Sequence, residues 1–147
     1  MAWVTVRELG PGETPLAART LLELRPALGS TAALIRQIDE RQRPTGYRLV
    51  GAFTRDDEEA AAVAGFRINE FLAWDRHLYV DDLVTAASHR GQGHADRLFA
   101  WLEGEARQAG CTQIHLDSAL GEDRQDAHRF YFRHGLRIAA FHFQREL

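Results

Sequence analysis

The sequence predicts a mixed α/β fold with a mainly antiparallel sheet that ends in a C-terminal strand–helix–strand (βαβ) unit. Three observations carry this. Between residues 47 and 85, three strand-like runs follow one another through short polar links, in the order of an antiparallel meander. From Leu78 onward, strand-like and helix-like segments alternate, the arrangement of a parallel pair joined by a right-handed crossover. No linker, repeat or low-complexity stretch interrupts the 147 residues, so a single domain over 1–147 is expected. A chain of this length buries about two-thirds of its unfolded surface.

The elements follow in order. Trp3, Val4 and Val6 begin a first strand, which Gly10-Pro11-Gly12 ends. Helical stretches are expected over 14–24 and 30–41, separated by Pro26 and Gly29, with Ser30 or Thr31 as the cap of the second. Pro44-Thr45-Gly46 is a turn, and residues 47–53 form a strand. The charged loop Arg55 to Glu59 leads to strands over 60–69 and 77–85. Next comes a helix in which Ala95, Leu98, Phe99, Leu102, Ala106 and Ala109 share one stripe. Gly104 inside it costs roughly 1 kcal/mol relative to alanine, which such a stripe outweighs. Gly110 stands where a left-handed cap belongs. A strand over 112–118, a helix over 123–134 stopped by Gly135, and a final strand over 136–143 complete the expectation.

Composition narrows the function classes. Hydrophobic residues make up 45% and charged residues 27%, which argues against disorder. No apolar run approaches the ~20 residues of a membrane span. The stretch Met1 to Arg7 lacks the pattern of a signal peptide. Cys111 is the one cysteine, so no intramolecular disulfide forms, and a cytoplasmic address is expected. The net charge of −3 gives no global reason for a nucleic-acid partner. All 18 basic residues are arginine, and the lack of lysine excludes a P-loop lysine and a lysine Schiff base.

The segment Arg90-Gly91-Gln92-Gly93-His94-Ala95 joins a strand to a helix with no Ser, Thr, Asp or Asn at the cap position. The first N–H groups of that helix therefore lack a side-chain partner, and a pyrophosphate would satisfy them. Two glycines and Ala95 permit a close backbone approach, while Arg90, His94 and Arg97 add positive or ionisable charge. The plain alternative is a tight turn with a hydrated helix end. Asp96 sits in the first turn, against phosphate, and also occupies the position where a dinucleotide fingerprint needs Gly or Ala. Asp117, about 20 residues on, keeps a nicotinamide-binding reading as an alternative.

These residues together resemble the GNAT (GCN5-related N-acetyltransferase) superfamily over about residues 76–143. Its pattern of Arg or Gln, two residues, Gly, one residue, then Gly or Ala is matched by Arg90, Gly93 and Ala95. Asp82-Leu83-Val84-Thr85 resembles the family's fourth strand, and Ala127-His128-Arg129-Phe130-Tyr131 with Gly135-Leu136 its Ala-x-x-Phe-Tyr…Gly-Phe segment. The resemblance implies acetyl-CoA as cosubstrate and no metal. It implies that Leu83, Val84 and Thr85 contact the pantetheine arm and that Gly91, Gln92, Gly93, His94, Ala95 and Asp96 hold the pyrophosphate. Arg124 replaces a frequent Asn, Thr85 a usual aliphatic, Ala87 a frequent proline and Leu136 a usual phenylalanine. Arg124 is then expected to pair with a phosphate.

By the same resemblance, an acetyl group passes to a primary amine by direct transfer through a tetrahedral intermediate. Tyr131 is the general acid, since an unperturbed phenol titrates near pH 10. The backbone N–H of Leu83 or Val84 is the oxyanion donor. For the base, Asp82 is the candidate, or else an acceptor contact. Asp81 is placed on the opposite face of the strand, with Glu70, a water or a relay through His128 as alternatives. Each of these side chains also reads as an ordinary solvated or paired group.

No His-Glu-x-x-His or cysteine pair supports a metal, and Cys111 reads as a packed residue. Trp74, Phe71 and Leu72 line an acceptor pocket, a core edge or a dimer contact. The acceptor is a small-molecule or peptide amine. Asp56, Asp57, Glu58, Glu59, Asp81 and Asp82 would attract a polyamine or aminoglycoside. A homodimer through the last strand, with Phe141 and Phe143 alternating, is a further expectation. A non-catalytic acyl-CoA sensor is the competing reading.

Overall fold

β1 (Val4–Leu9) and β2 (Arg48–Thr54) pair antiparallel, from Val4 opposite Thr54 to Leu9 opposite Leu49. The computed structural model describes residues 3–147; Met1 and Ala2, which begin the stretch read as lacking a leader, lie outside them. The chain divides into two units, Met1–His115 and Leu116–Leu147.

The first unit carries the sheet. β3 (Ala62–Phe71) and β4 (Asp75–Thr85) extend the antiparallel meander, and β5 (Gln113–Leu116) takes the edge beside β4, giving the order β1-β2-β3-β4-β5. The long hairpin of β3 and β4 reaches further than its apolar run because its tip has a small core of its own. Phe71, Trp74, His77 and His115 pack ring on ring there, Trp74 stacking on His115 at 4.0 Å. Leu72 projects from the tip fully exposed.

The sheet has two covered faces. Leu9, Leu49, Val63 and Val84 pack with Ala17, Ala18 and Leu21 of α1 (Pro15–Leu24) and Leu34 of α2 (Thr31–Gln37). On the other face, Phe66 meets Trp101 of α3 (His94–Gln108) edge-on at 5.7 Å, and Leu98, Phe99 and Leu102 are buried. Arg48 also lies on this face, 4.8 Å from the Phe66 ring centre, bridging Glu8 of β1 and Glu105 of α3 at 2.7 Å each. Pro15 starts α1, where its missing N–H costs nothing, and Ser30 caps α2 by accepting the Ala33 N–H at 3.1 Å.

The helix expected over 30–41 is shorter. α2 ends at Gln37 and the chain continues as a wider turn over Ile38–Gln42 and a tight one over Arg43–Thr45. Pro44 cannot donate to a helical ladder, and Gly46 at φ 100° turns the chain out. Arg43 is tied instead to the carbonyls of Leu9 and Gly10 and to the Thr14 hydroxyl.

The second unit contains a short turn, Glu122–Arg124, and α4 (Gln125–Arg133), ended by Gly135 at φ 80°. The final strand expected over 136–143 is absent; residues 136–147 have no regular structure, and Phe141 and Phe143 are exposed. A strand has no hydrogen bonds of its own, so alternation makes one only where an edge is there to pair with. Within its unit this segment has no ladder. The edge invoked for a dimer is therefore not formed as a strand.

Candidate functional site

The turn before α3 is built from two left-handed glycines, Gly91 at φ 76° and Gly93 at φ 79°. L-residues with a side chain rarely adopt that conformation. Gly93 occupies the position before the helix and supplies no side-chain cap, so the leading N–H groups of α3 point out of the turn unanswered by any capping side chain. Arg90, Gly91 and Gln92 are exposed, and Ala95 and Asp96 half-buried. Arg97 reaches back from the helix to donate to the Gln92 carbonyl at 2.8 Å, fixing the turn and placing a guanidinium beside it.

His94 departs from its expected role. It is 2% exposed and neither ring nitrogen has a hydrogen-bond partner. Burial first, then Arg97 and His89, hold its pKa below the ordinary histidine value. Its ring is thus a neutral core group under the turn, and only its backbone N–H faces the cradle. A short chain of polar contacts lies beside it: Thr54 donates to Asp57 Oδ2 at 2.6 Å, His89 Nε2 meets the same oxygen at 2.7 Å, and the Ser88 hydroxyl meets His89 Nδ1 at 2.9 Å.

β4 supplies the second part. Its register with β3 jumps from Gly65 opposite Asp82 to Phe66 opposite Val80, leaving Asp81 unpaired as a bulge. The extra residue resets the alternation, which corrects the expected opposition of Asp81 and Asp82: both side chains join one network on the α1/α2 face. Arg67 Nε donates to Asp81 Oδ2 at 2.8 Å and Arg25 Nε to Asp82 Oδ1 at 2.8 Å. The Tyr47 phenol donates to Asp82 Oδ2 at 2.8 Å. Tyr47 is buried, and burial together with Asp82 pushes its pKa up, so it stays a donor. Asp82 thus has both oxygens engaged. Asp81 Oδ1, by contrast, is buried without a donor, and burial raises the Asp81 pKa despite Arg67.

Beyond the bulge, Val84 enters the core while Leu83 and Thr85 are half-buried. β5 begins level with Arg76, whose carbonyl accepts the Thr112 N–H at 2.9 Å. Its four residues span roughly 13 Å, whereas Leu83 lies roughly 23 Å further along β4. β5 therefore ends before it reaches the Leu83–Thr85 stretch of β4.

In the second unit, Tyr131 is half-buried on α4. Burial raises its pKa, while a hydrogen bond and the positive charge of Arg124 act in the other direction. Arg124, expected on a phosphate, is here the partner of the phenol. His128 Nε2 meets the Ser118 hydroxyl at 3.0 Å and the Ala119 carbonyl at 3.1 Å, pinning the segment before α4.

Sequence reasoning missed Arg25, Tyr47, Arg67 and Gly65. Gly65 is a requirement of the Tyr47 ring: a Cβ there would run into its hydroxyl. No local pattern links residues so far apart in the chain, although a glycine inside a strand does signal a close approach or a bulge.

An uncapped helix N-terminus behind a two-glycine turn, beside a bulged strand, suits a diphosphate-bearing ligand. The family comparison agrees: residues 17–136 match the acetyltransferase (GNAT) family, and the chain belongs to it. It is 41% identical over 68 residues to the aminoalkylphosphonate N-acetyltransferase of Salmonella typhimurium, a match that covers 46% of this chain and 43% of that protein. The match thus spans less than half of the relative. Among solved structures, a transcriptional regulator from Bacillus halodurans superposes with a TM-score of 0.81 at 21% identity, covering 99% of this chain and 100% of the other. The CoA complex of the aminoglycoside N-acetyltransferase AAC(6')-Iy gives 0.81 at 15% identity, covering 99% and 96%. These identities establish the shared fold, a mixed, mainly antiparallel α/β sheet. No helix among the described residues is long and apolar enough to cross a membrane.

Proposed function

We propose that the protein is an acetyl-CoA-dependent N-acetyltransferase of the cytoplasm, acting on the primary amine of a small molecule or peptide. The observation that carries this reading is the uncapped N-terminus of α3 behind Gly91 and Gly93. Bound acetyl-CoA supplies the thioester. The backbone of 91–96 and the Arg90 and Arg97 guanidiniums would hold its pyrophosphate, and the backbone of Leu83, Val84 and Thr85 would hold its pantetheine arm.

The amine nitrogen attacks the acetyl carbon and forms the C–N bond, giving a tetrahedral intermediate whose collapse breaks the C–S bond. The N–H of Leu83 or Val84 steadies the oxyanion of the tetrahedral intermediate. The amine proton goes to a base and the departing sulfur takes one from an acid. Asp81 fits the base better than Asp82, because its raised pKa makes it a stronger base and both oxygens of Asp82 are already engaged. Asp82 serves as an acceptor contact through Arg25. Tyr131 is the acid, and Arg124, bonded to its oxygen, stabilises the phenolate it leaves. His128 is a positioning residue for the segment that precedes α4.

The test is thiol release from acetyl-CoA with a panel of amines. Amine-dependent release is expected, with kcat lowered roughly 100-fold or more in Tyr131→Phe. Tight acetyl-CoA binding without release on any amine would favour the sensor reading, and no binding would overturn the proposal.

A further inference from the structure

Of the six acidic residues expected to draw a polycation, Asp56 and Glu58 are exposed, while the other four are paired. Glu59 faces Arg19 at 3.3 Å, Asp57 is bonded to Thr54 and His89, and Asp81 and Asp82 are paired with Arg67 and Arg25. At the bulge, two carboxylates meet two guanidiniums, so the local formal charge is balanced. Such a surface offers a purely cationic acceptor little long-range attraction.

Two groups in this network remain to be satisfied. Asp81 Oδ1 is closed off with no donor, and a buried carboxylate oxygen left so is costly. Arg25 is half-exposed, 52% by side chain. Its hydrogen bonds leave from Nε and Nη2, to Asp82 and to the Asp81 carbonyl at 3.2 Å, so the Nη1 edge remains for a ligand. Arg25 stands at the end of α1, across the bulge from β4. It crosses the Asp81 backbone and is the outermost member of the network. Arg67 is tied down at all three nitrogens, by Asp81, Thr45 and Gln42.

Resting on the acetyltransferase reading, we infer that the acceptor is a small amine carrying its own anionic group, its nitrogen directed to Asp81 and its anion held by Arg25. A carboxylate, sulfonate or phosphonate matches the free guanidinium edge through charge-assisted hydrogen bonds. Held there, the anion would compete with the Asp81 carbonyl for Arg25. A plain alkylamine or diamine has no anion to offer Arg25.

The experiment compares acceptors of equal chain length by thiol release: an alkylamine, a diamine, an ω-amino acid and an aminoalkylphosphonate. The anion-bearing amines are expected to exceed the alkylamine in kcat/KM by roughly tenfold or more. Arg25→Gln should reduce that ratio at least tenfold through KM, and Arg25→Lys should restore part of it. Preference for the alkylamine or diamine, or an equal loss on all acceptors in Arg25→Gln, overturns the inference and leaves the acetyltransferase reading intact. If no amine is turned over while acetyl-CoA binds, calorimetry on the acetyl-CoA complex decides. Binding of the anion-bearing amines, weakened in Arg25→Gln, supports the inference, and its absence overturns it. Failure to bind acetyl-CoA itself defeats the underlying reading instead.

Discussion

At the scale of single residues, His94 shows how one side chain can look functional in sequence and be structural in place. The helix start needs its backbone N–H, while its ring is buried as a neutral group with two unpartnered nitrogens. Its folded pKa is below the ordinary value of about 6.5. As pH falls through that value the unfolded chain takes up a proton that the folded chain refuses, so His94 makes the fold less stable toward acid. Wild-type melting temperature should therefore decline between about pH 7 and pH 5, and His94→Leu should flatten part of that decline. At pH 8 the variant should match or exceed wild type, having removed two orphaned nitrogens. An unchanged slope in a melting series across pH would assign the acid sensitivity to other groups.

At the scale of elements, the β3–β4 hairpin does more than extend the sheet. Its bulge at Asp81 turns two successive carboxylates to one face, and Gly65 opposite Asp82 leaves room for the Tyr47 ring that anchors one of them. Gly65→Ala keeps the strand's backbone but places a methyl group against Tyr47. Overpacking of this kind costs about 1–3 kcal/mol, to be measured by urea unfolding, and should lower turnover as Asp82 loses its donor. A variant as stable as wild type would mean that the Tyr47 ring moves without cost. The bulge itself was not legible, because an inserted residue in a ladder depends on the partner strand. The alternation of Leu78 to Thr85 identified the strand and misassigned the relative facing of Asp81 and Asp82.

For the whole molecule, a ligand that binds only the folded state stabilises it by mass action. Acetyl-CoA at about 100 times its Kd should add about 2.7 kcal/mol, which for a chain of this size is about 5–10 °C in melting temperature. The gain should shrink with added salt, since exposed guanidiniums beside the glycine turn contribute to it. Scanning fluorimetry with acetyl-CoA and with NADH reads this directly. Stabilisation by NADH in its place would revive the nicotinamide reading that Asp117 suggests and Asp96 opposes.

Local sequence is enough for the class of fold, the order of nearly all its elements, and the glycine turn. These are written in local signals: a period of two or 3.6, a capping residue, a glycine where φ must be positive. Arg90, Gly93 and Ala95 were legible because they are close together in the chain. Packing in three dimensions buries His94, turns Asp81 and Asp82 to one face, and sets Arg25, Tyr47 and Arg67 around them. Contacts between residues that far apart come from strand register and helix packing, which no window of sequence contains. The unformed strand after Leu136 has the same physical reason: alternation states a preference, and a partner edge must satisfy it.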